Sequence, residues 1–393
     1  MRTGLFVLLL AGCAGADAGE HWAGTVDTLA NGAVRVSNPA IGLWGEGSGW
    51  RLERELELGS GDGPEPLIFA TVSGLEADPD GRIYVLDREA NQLRIFAGTG
   101  EHVRTVGRQG AGPGEYRNAN GLVWLTADTL LVVDQRGMRY SILDREGGFV
   151  RSMPRQLGFY GWIFAGGIAR GRIYERAYAE RGPNPRIVLV GTSPAGRDTT
   201  SVRDTVWLPE PPGPVYESFR FESSRGSMNM QVPFTPTPVY QLDPAGRIWH
   251  GHGSAPRLVR TGFEGDTTME VLLDATPAPV TSAEIAEWEA GEFVKQFREA
   301  GGRIDLDRIP KVKPFFDGLT VDPAGNLWLS IHAAPMETVF AVVDSGGRYL
   351  GRVQASGFRR NSYVPPVVRN DRLYLSGFDE LDVPKVYVFR IAK

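Results

Sequence analysis

One four-residue corner recurs along the chain: Asp78-Pro79-Asp80-Gly81, Asp243-Pro244-Ala245-Gly246 and Asp322-Pro323-Ala324-Gly325. Aspartate suits the first position of a β-turn, proline pre-sets φ at the second, and glycine accepts the positive φ often needed at the fourth. Each corner joins two short apolar runs, so each marks a β-hairpin: Gly74–Asp87, Val239–His250 and Gly318–Ser330. Weaker copies lie at Gly121–Asp134, Gly166–Glu175 and Pro366–Ser376, which brings the number to six. A third run and usually a fourth follow each hairpin. They are Gln92–Phe96 and His102–Val106 after the first, and Arg139–Leu143 and Phe149–Met153 after the second. After the fifth they are Val339–Val343 and Arg348–Val353. Four short strands in every 40–50 residues or so, repeated, predict the blades of a β-propeller.

The sixth copy has a third strand, Lys385–Ile391, but the chain stops at Lys393 before a fourth. A three-stranded last blade would leave an open edge. Near the other end, Arg51–Leu58 alternates like a strand and has no hairpin partner. It is expected to complete blade six and close the ring. A chain of 393 residues with 42% hydrophobic side chains has material for one large all-β domain and is not disordered. The predicted fold is therefore all-β, a six-bladed β-propeller of four-stranded blades closed by an N-terminal strand.

Two insertions and one extra hairpin decorate this frame. Asn31-Gly32 inside Gly24–Asn38 signals a hairpin, expected on the propeller rim. Leu208–Pro238 contains PEPPGP and PFTPTP and is expected to be irregular. Thr281-x-x-Glu284 is a capping box, followed by Ile285, Trp288, Phe293 and Phe297 near one helical face. This predicts one inserted helix across Thr281–Ala300.

The run Gly107–Tyr116 (GRQGAGPGEY) followed by Gly121-Leu122, and Val85-Leu86-Asp87 with Asn91–Phe96, resemble NHL-type repeats. From Trp50 to Lys393 the chain resembles bacterial six-bladed β-propeller lipoproteins. That resemblance implies the scaffold and carries no activity with it.

Met1–Cys13 reads MRTGLFVLLLAGC: a positive start, a short apolar stretch and a lone cysteine. The stretch is far below the ~20 residues needed to span a bilayer, so it reads as a secretion signal. Leu10-Ala11-Gly12-Cys13 resembles the lipobox of bacterial lipoproteins, which implies lipidation at Cys13. Ala14, where an aspartate would favour inner-membrane retention, implies an outer-membrane destination facing the periplasm. The expected organisation is a signal peptide at 1–12, a lipidated N-terminus with a hairpin at 13–49, and the propeller at 50–393. The insertions fall at 208–238 and 274–316.

A net charge of −5 argues against nucleic acid, and a single cysteine excludes intramolecular disulfides and Cys-based metal motifs. Gly110–Gly114 lacks the lysine of a phosphate-binding loop and no helix follows it. No Gly-x-Ser-x-Gly elbow occurs. His250 and His252 lie two apart on one strand and face the same side, yet a metal needs three converging ligands. Asp87 and Asp134 end their second strands identically, which reads as capping of the next turn. No catalytic residue and no cofactor are assigned.

Antiparallel strands alternate direction, so blade-to-blade connections share a face with the turns between second and third strands. Both insertions are such connections. The candidate binding face is therefore Arg88, Tyr116, Arg117, Arg136, His252, His332, Arg359 and Arg360. Two function classes fit the sequence. One is a membrane-anchored binding scaffold for a protein, peptide or small molecule. The other is a metal-dependent hydrolase, lactonase or lyase with a divalent cation near the propeller axis.

Overall fold

A computed structural model describes residues 22–45, 49–155, 157, 164–178, 187–194, 204–224 and 226–393. The chain forms a six-bladed β-propeller whose blades are mostly four-stranded and antiparallel. Blade one comprises Val72–Ala77, Ile83–Asp87, Gln92–Phe96 and His102–Val106, counted from the axis outward. Blade two repeats this order from Ala119 to Pro154, and blade three from Gly166 to Trp207. Blades four and five span Pro238–Leu273 and Gly318–Ser356.

Blade six closes the ring. Its inner strands, Val367–Arg369, Arg372–Phe378 and Pro384–Ala392, come from the end of the chain. Its outer strand is Arg51–Leu58, antiparallel to Pro384–Ala392, with Leu58 opposite Val386 and Arg51 opposite Ala392. The hairpin Thr25–Thr28/Val34–Asn38 sits on the rim, where Val34–Asn38 runs parallel to Thr267–Leu273 and widens blade four to six strands. Asn38 stitches this edge to blade five, donating to the Gly347 carbonyl at 3.0 Å and accepting from the Tyr349 amide at 2.6 Å.

The core lies between blades. At one register position the second strand carries Tyr84, Tyr174, Trp249, Trp328 or Tyr374, each opposite an inner-strand residue. All five rings are buried, and each contributes roughly 3 kcal/mol by burial. Blade two has Leu131 at this position. Trp124 of the same blade packs instead toward blade one, edge-on to Tyr84 at 5.1 Å between ring centroids.

The insertions differ from expectation. Leu208–Pro238 is not wholly irregular, because Phe219–Ser223 and Gly226–Met230 pair as a hairpin. The single predicted helix is two, α1 (Ser282–Glu289) and α2 (Glu292–Glu299). The capping box forms as expected at Thr281 and Glu284. The break falls at Gly291, whose backbone is extended (ψ 144°) and whose residue type costs about 1 kcal/mol in a helix interior. On α2, Phe293 is 50% exposed while Phe297 is fully buried. The two insertions then build a core of their own from Phe219, Met230, Val232, Val294, Phe297 and Ile309, with Trp288 packed against it.

Candidate functional site

Six backbone hydrogen bonds define the two faces of the ring. In four blades the residue at the end of strand two donates its N–H to the residue before strand one: Arg88 to Thr71, Gln135 to Asn118, Arg176 to Ala165 and Gly253 to Thr237. In the other two the donor is reversed, Asp317 to Ser330 and Asn361 to Ser376. The inner strands therefore begin on the face where the second strands end. Both insertions rise from this upper face. The Asp-Pro-x-Gly corners occupy the lower one.

Several arginines of the lower face are neutralised. Arg82 binds Glu146 at 2.6 Å, and Arg145 binds Asp78 at 2.9 Å and Asp80 at 2.5 Å. Arg247–Asp243, Arg348–Asp344 and Arg372–Glu55 each close at 2.7 Å. Partial burial pushes the Asp78 carboxyl up, but the Arg145 guanidinium outweighs it and holds the group below the usual carboxylate range. Arg170, Arg260 and Arg369 form no ion pair among the described residues; Arg170 lies 4.3 Å over the Phe263 ring and Arg260 5.4 Å over the Trp249 ring.

On the upper face, Asp87 and Asp134 are fully buried staples. Asp87 accepts from the backbone N–H groups of Ala70 at 2.8 Å, Thr71 at 3.2 Å and Ala90 at 3.3 Å. Asp134 accepts likewise from Arg117 at 3.2 Å, Asn118 at 2.9 Å and Gly137 at 3.0 Å. Each carboxylate thus caps its own turn and also fixes the start of the inner strand.

Asp87 also pairs with Arg94 at 3.8 Å and Asp134 with Arg139 at 3.3 Å, while other arginines of this face are free. Arg88, Arg117, Arg136, Arg176 and Arg360 form no ion pair among the described residues. All five sit at the upper ends of the first and second strands or in the turns beside them. Arg117 and Arg136 are exposed and line one cavity of about 450 Å³ with Gln109, Gly110 and Ala111. Arg176 and Arg360 are crowded by protein yet keep solvent contact, as at a concave mouth, and this crowding lowers their pKa from the usual arginine range. Arg360 also lies 5.5 Å over the Phe340 ring.

The other predicted face residues are placed differently. Tyr116 is fully buried in the core between blades one and two. His252 is 5% exposed, and burial lowers its pKa. Its Nδ1 accepts from the Ser254 amide at 3.2 Å, and its ring lies under Gly213, where a Cβ would come within 2.2 Å. His332 is half-buried, edge-on to Phe234 at 5.1 Å and 3.7 Å from Asp317. Arg359 is paired with Asp382 at 2.6 Å and stacked over Phe378. Four predicted residues therefore remain as unpaired surface cations: Arg88, Arg117, Arg136 and Arg360. Sequence reasoning missed Arg176, although it makes the same backbone bond as Arg88. Cys13 lies outside the described residues.

In the axial channel, Glu76 of blade one carries the carboxyl of the register level opposite Tyr84. Burial pushes its pKa up to about 8, against the opposing pull of Arg369. Val123, Gly167, Gln241, Thr320 and Val367 hold the same level in the other blades. Among the described residues no three His, Cys, Asp or Glu side chains converge as a metal site.

A family model described as a 6-bladed beta-propeller matches residues 69–144, which is blade one and most of blade two. No curated protein matches the chain. Among solved structures, the chain is similar to a member of the DUF4221 family from Bacteroides vulgatus. Identity is 13% over 88% of this chain and 99% of that one, with a TM-score of 0.52. A Bacteroides fragilis protein designated as exported is 11% identical over 91% of this chain and 100% of that one, with a TM-score of 0.49. The virginiamycin B lyase of Staphylococcus aureus is 9% identical over 86% and 99%, with a TM-score of 0.38. At these identities the likeness speaks to the fold alone.

Proposed function

We propose that the protein is a membrane-anchored, extracytoplasmic binding scaffold whose upper face takes an anionic ligand bearing carboxylate or phosphate groups. The observation that carries this reading is the cavity lined by the unpaired Arg117 and Arg136. Guanidinium groups match carboxylate and phosphate oxygens geometrically, and a concave, partly desolvated mouth strengthens that attraction. The lipobox-like Leu10–Cys13 supports the anchor and the cell-envelope location. Two acyl signals hold a protein to a membrane firmly, where one holds it marginally.

A titration of the purified protein with a labelled oligoglutamate peptide and with pyrophosphate tests the binding claim. At least one of them is expected to bind, with affinity falling steeply as salt rises from low to physiological strength. Binding of neither, or binding indifferent to salt, contradicts the reading. For the anchor, Cys13→Ser is expected to move the protein from the membrane to the soluble fraction of envelope extracts. Unchanged membrane association would remove it.

A further inference from the structure

A second cavity lies in the groove between blades three and four, away from the arginine mouth, with a volume of about 680 Å³. One wall is the chain leaving blade three: Trp207, Leu208, Pro209, Glu210, Pro211 and Pro212. The opposite wall is blade four, with His250, Arg257, Val259 and Thr261. His250 pairs across the ladder with Val259, and Ile248 with Thr261, so His250 and Thr261 stand on one face of that sheet. Arg257 is on this face too, and its Nε is already engaged by Glu270.

Among the described residues, three atoms of this wall have no partner. Both ring nitrogens of His250 and the hydroxyl of Thr261 are buried without a hydrogen bond, in residues 6% and 3% exposed. Orphaned buried polar atoms are rare and ask for an occupant. Burial, helped by the Arg257 charge, lowers the His250 pKa to about 4, so at neutral pH the imidazole is uncharged. It then offers one N–H donor and one bare acceptor nitrogen. A simple anion would satisfy the donors of His250, Thr261 and Arg257 but leave that acceptor orphaned. A hydroxyl both donates and accepts. The facing prolines and the half-exposed Trp207 ring supply an apolar wall on which C–H groups can lie.

We propose that this groove binds a small polyhydroxylated ligand of the size and chemistry of a monosaccharide, through His250 and Thr261, with Arg257 able to take a ring oxygen or carboxylate. The volume is within the usual range for small-molecule sites. The site is independent of the upper-face arginines.

The test uses the purified protein, tryptophan fluorescence and calorimetry, with glucose, galactose, N-acetylglucosamine and glucuronate as probes and inorganic phosphate as the anion control. At least one sugar is expected to bind where phosphate does not. His250→Phe and Thr261→Val are each expected to weaken it roughly tenfold, the loss of about one hydrogen bond. Neither is expected to lower the melting temperature, because an apolar replacement of an orphaned buried group is neutral or stabilising. His250→Gln, which keeps a donor and an acceptor, should retain more binding than His250→Phe. Arg117→Ala with Arg136→Ala should leave sugar binding unchanged. Failure of all four sugars to bind, tighter binding of phosphate, or sugar binding indifferent to His250→Phe overturns the proposal.

Discussion

The upper and lower faces of this propeller draw on the same residue types and use them to different degrees. On the lower face, Arg82, Arg145, Arg247, Arg348 and Arg372 each have a carboxylate within 2.9 Å. There the charge is consumed in joining blades and corners. On the upper face the carboxylates Asp87 and Asp134 are taken up by backbone amides and by Arg94 and Arg139, and among the described residues Arg88, Arg117 and Arg136 form no ion pair. A guanidinium near the surface without a counter-ion adds little to stability, since exposed pairs contribute only about 0–1 kcal/mol in the first place. Its value is to something arriving from solution. The lesson is that repeat-equivalent acids matter less for what they bind than for what they leave unbound.

The largest expected effect breaks the comparison by removing both faces together. Deleting 51–58 strips the outer strand from blade six and exposes the edge of Pro384–Ala392. The melting temperature should fall by more than 10 °C, with aggregation, as seen by differential scanning fluorimetry and light scattering. An unchanged melt would contradict ring closure by this strand. Next in size, Asp134→Asn replaces an acceptor of three backbone N–H groups by a side chain that is half donor. Urea unfolding should show a loss of about 2–3 kcal/mol. A loss under 0.5 kcal/mol would mean that the staple is not what seats Arg117.

The pH dependence of stability carries two opposite contributions. The unfolded chain protonates His250 below about 6.5, whereas the folded site resists to about 4. Acidification through that window should therefore destabilise the protein, by as much as roughly 3 kcal/mol. Glu76 acts in reverse. The unfolded carboxyl ionises above about 4.5 and the folded one only near 8, so stability falls as pH rises through that range. Glu76→Gln should flatten the alkaline limb, and His250→Phe the acid limb, in melting temperatures recorded from pH 4 to 9. The smallest effect is on the lower face: Arg82→Ala with Arg247→Ala should cost less than about 2 kcal/mol together.

How much of this was readable beforehand varies by level. Three Asp-Pro-x-Gly corners mark turns through local chemistry alone, and the alternation of Arg51–Leu58 marks a strand, so blades and closure follow from short-range rules. The burial of Tyr116 and His252 does not. Their chain positions put them near the upper face, but which way a side chain turns depends on the neighbouring blade. The break at Gly291 competes with apolar spacing and a capping box that fit one continuous helix. The Phe219–Met230 hairpin is masked by its proline-rich flanks, and its apolar side meets a partner only when the second insertion folds over it. Arg176 directly follows the Gly166–Glu175 hairpin, but nothing in its local sequence marks it as unpaired. Whether an arginine is paired or free is the least local property of all, since Arg82 and Glu146 are 64 residues apart.

The most direct test of the account is therefore a side-by-side titration of three proteins with the same labelled oligoglutamate peptide and pyrophosphate at low and physiological salt. These are the wild type, Arg117→Ala/Arg136→Ala, and Arg82→Ala/Arg247→Ala. The account predicts that the upper-face pair loses affinity by about 100-fold, close to 1.4 kcal/mol for each arginine, with an unchanged melting temperature. The lower-face pair should bind like the wild type and melt slightly lower. Equal loss from both pairs, or loss from the lower-face pair alone, would contradict the division of labour between the two faces.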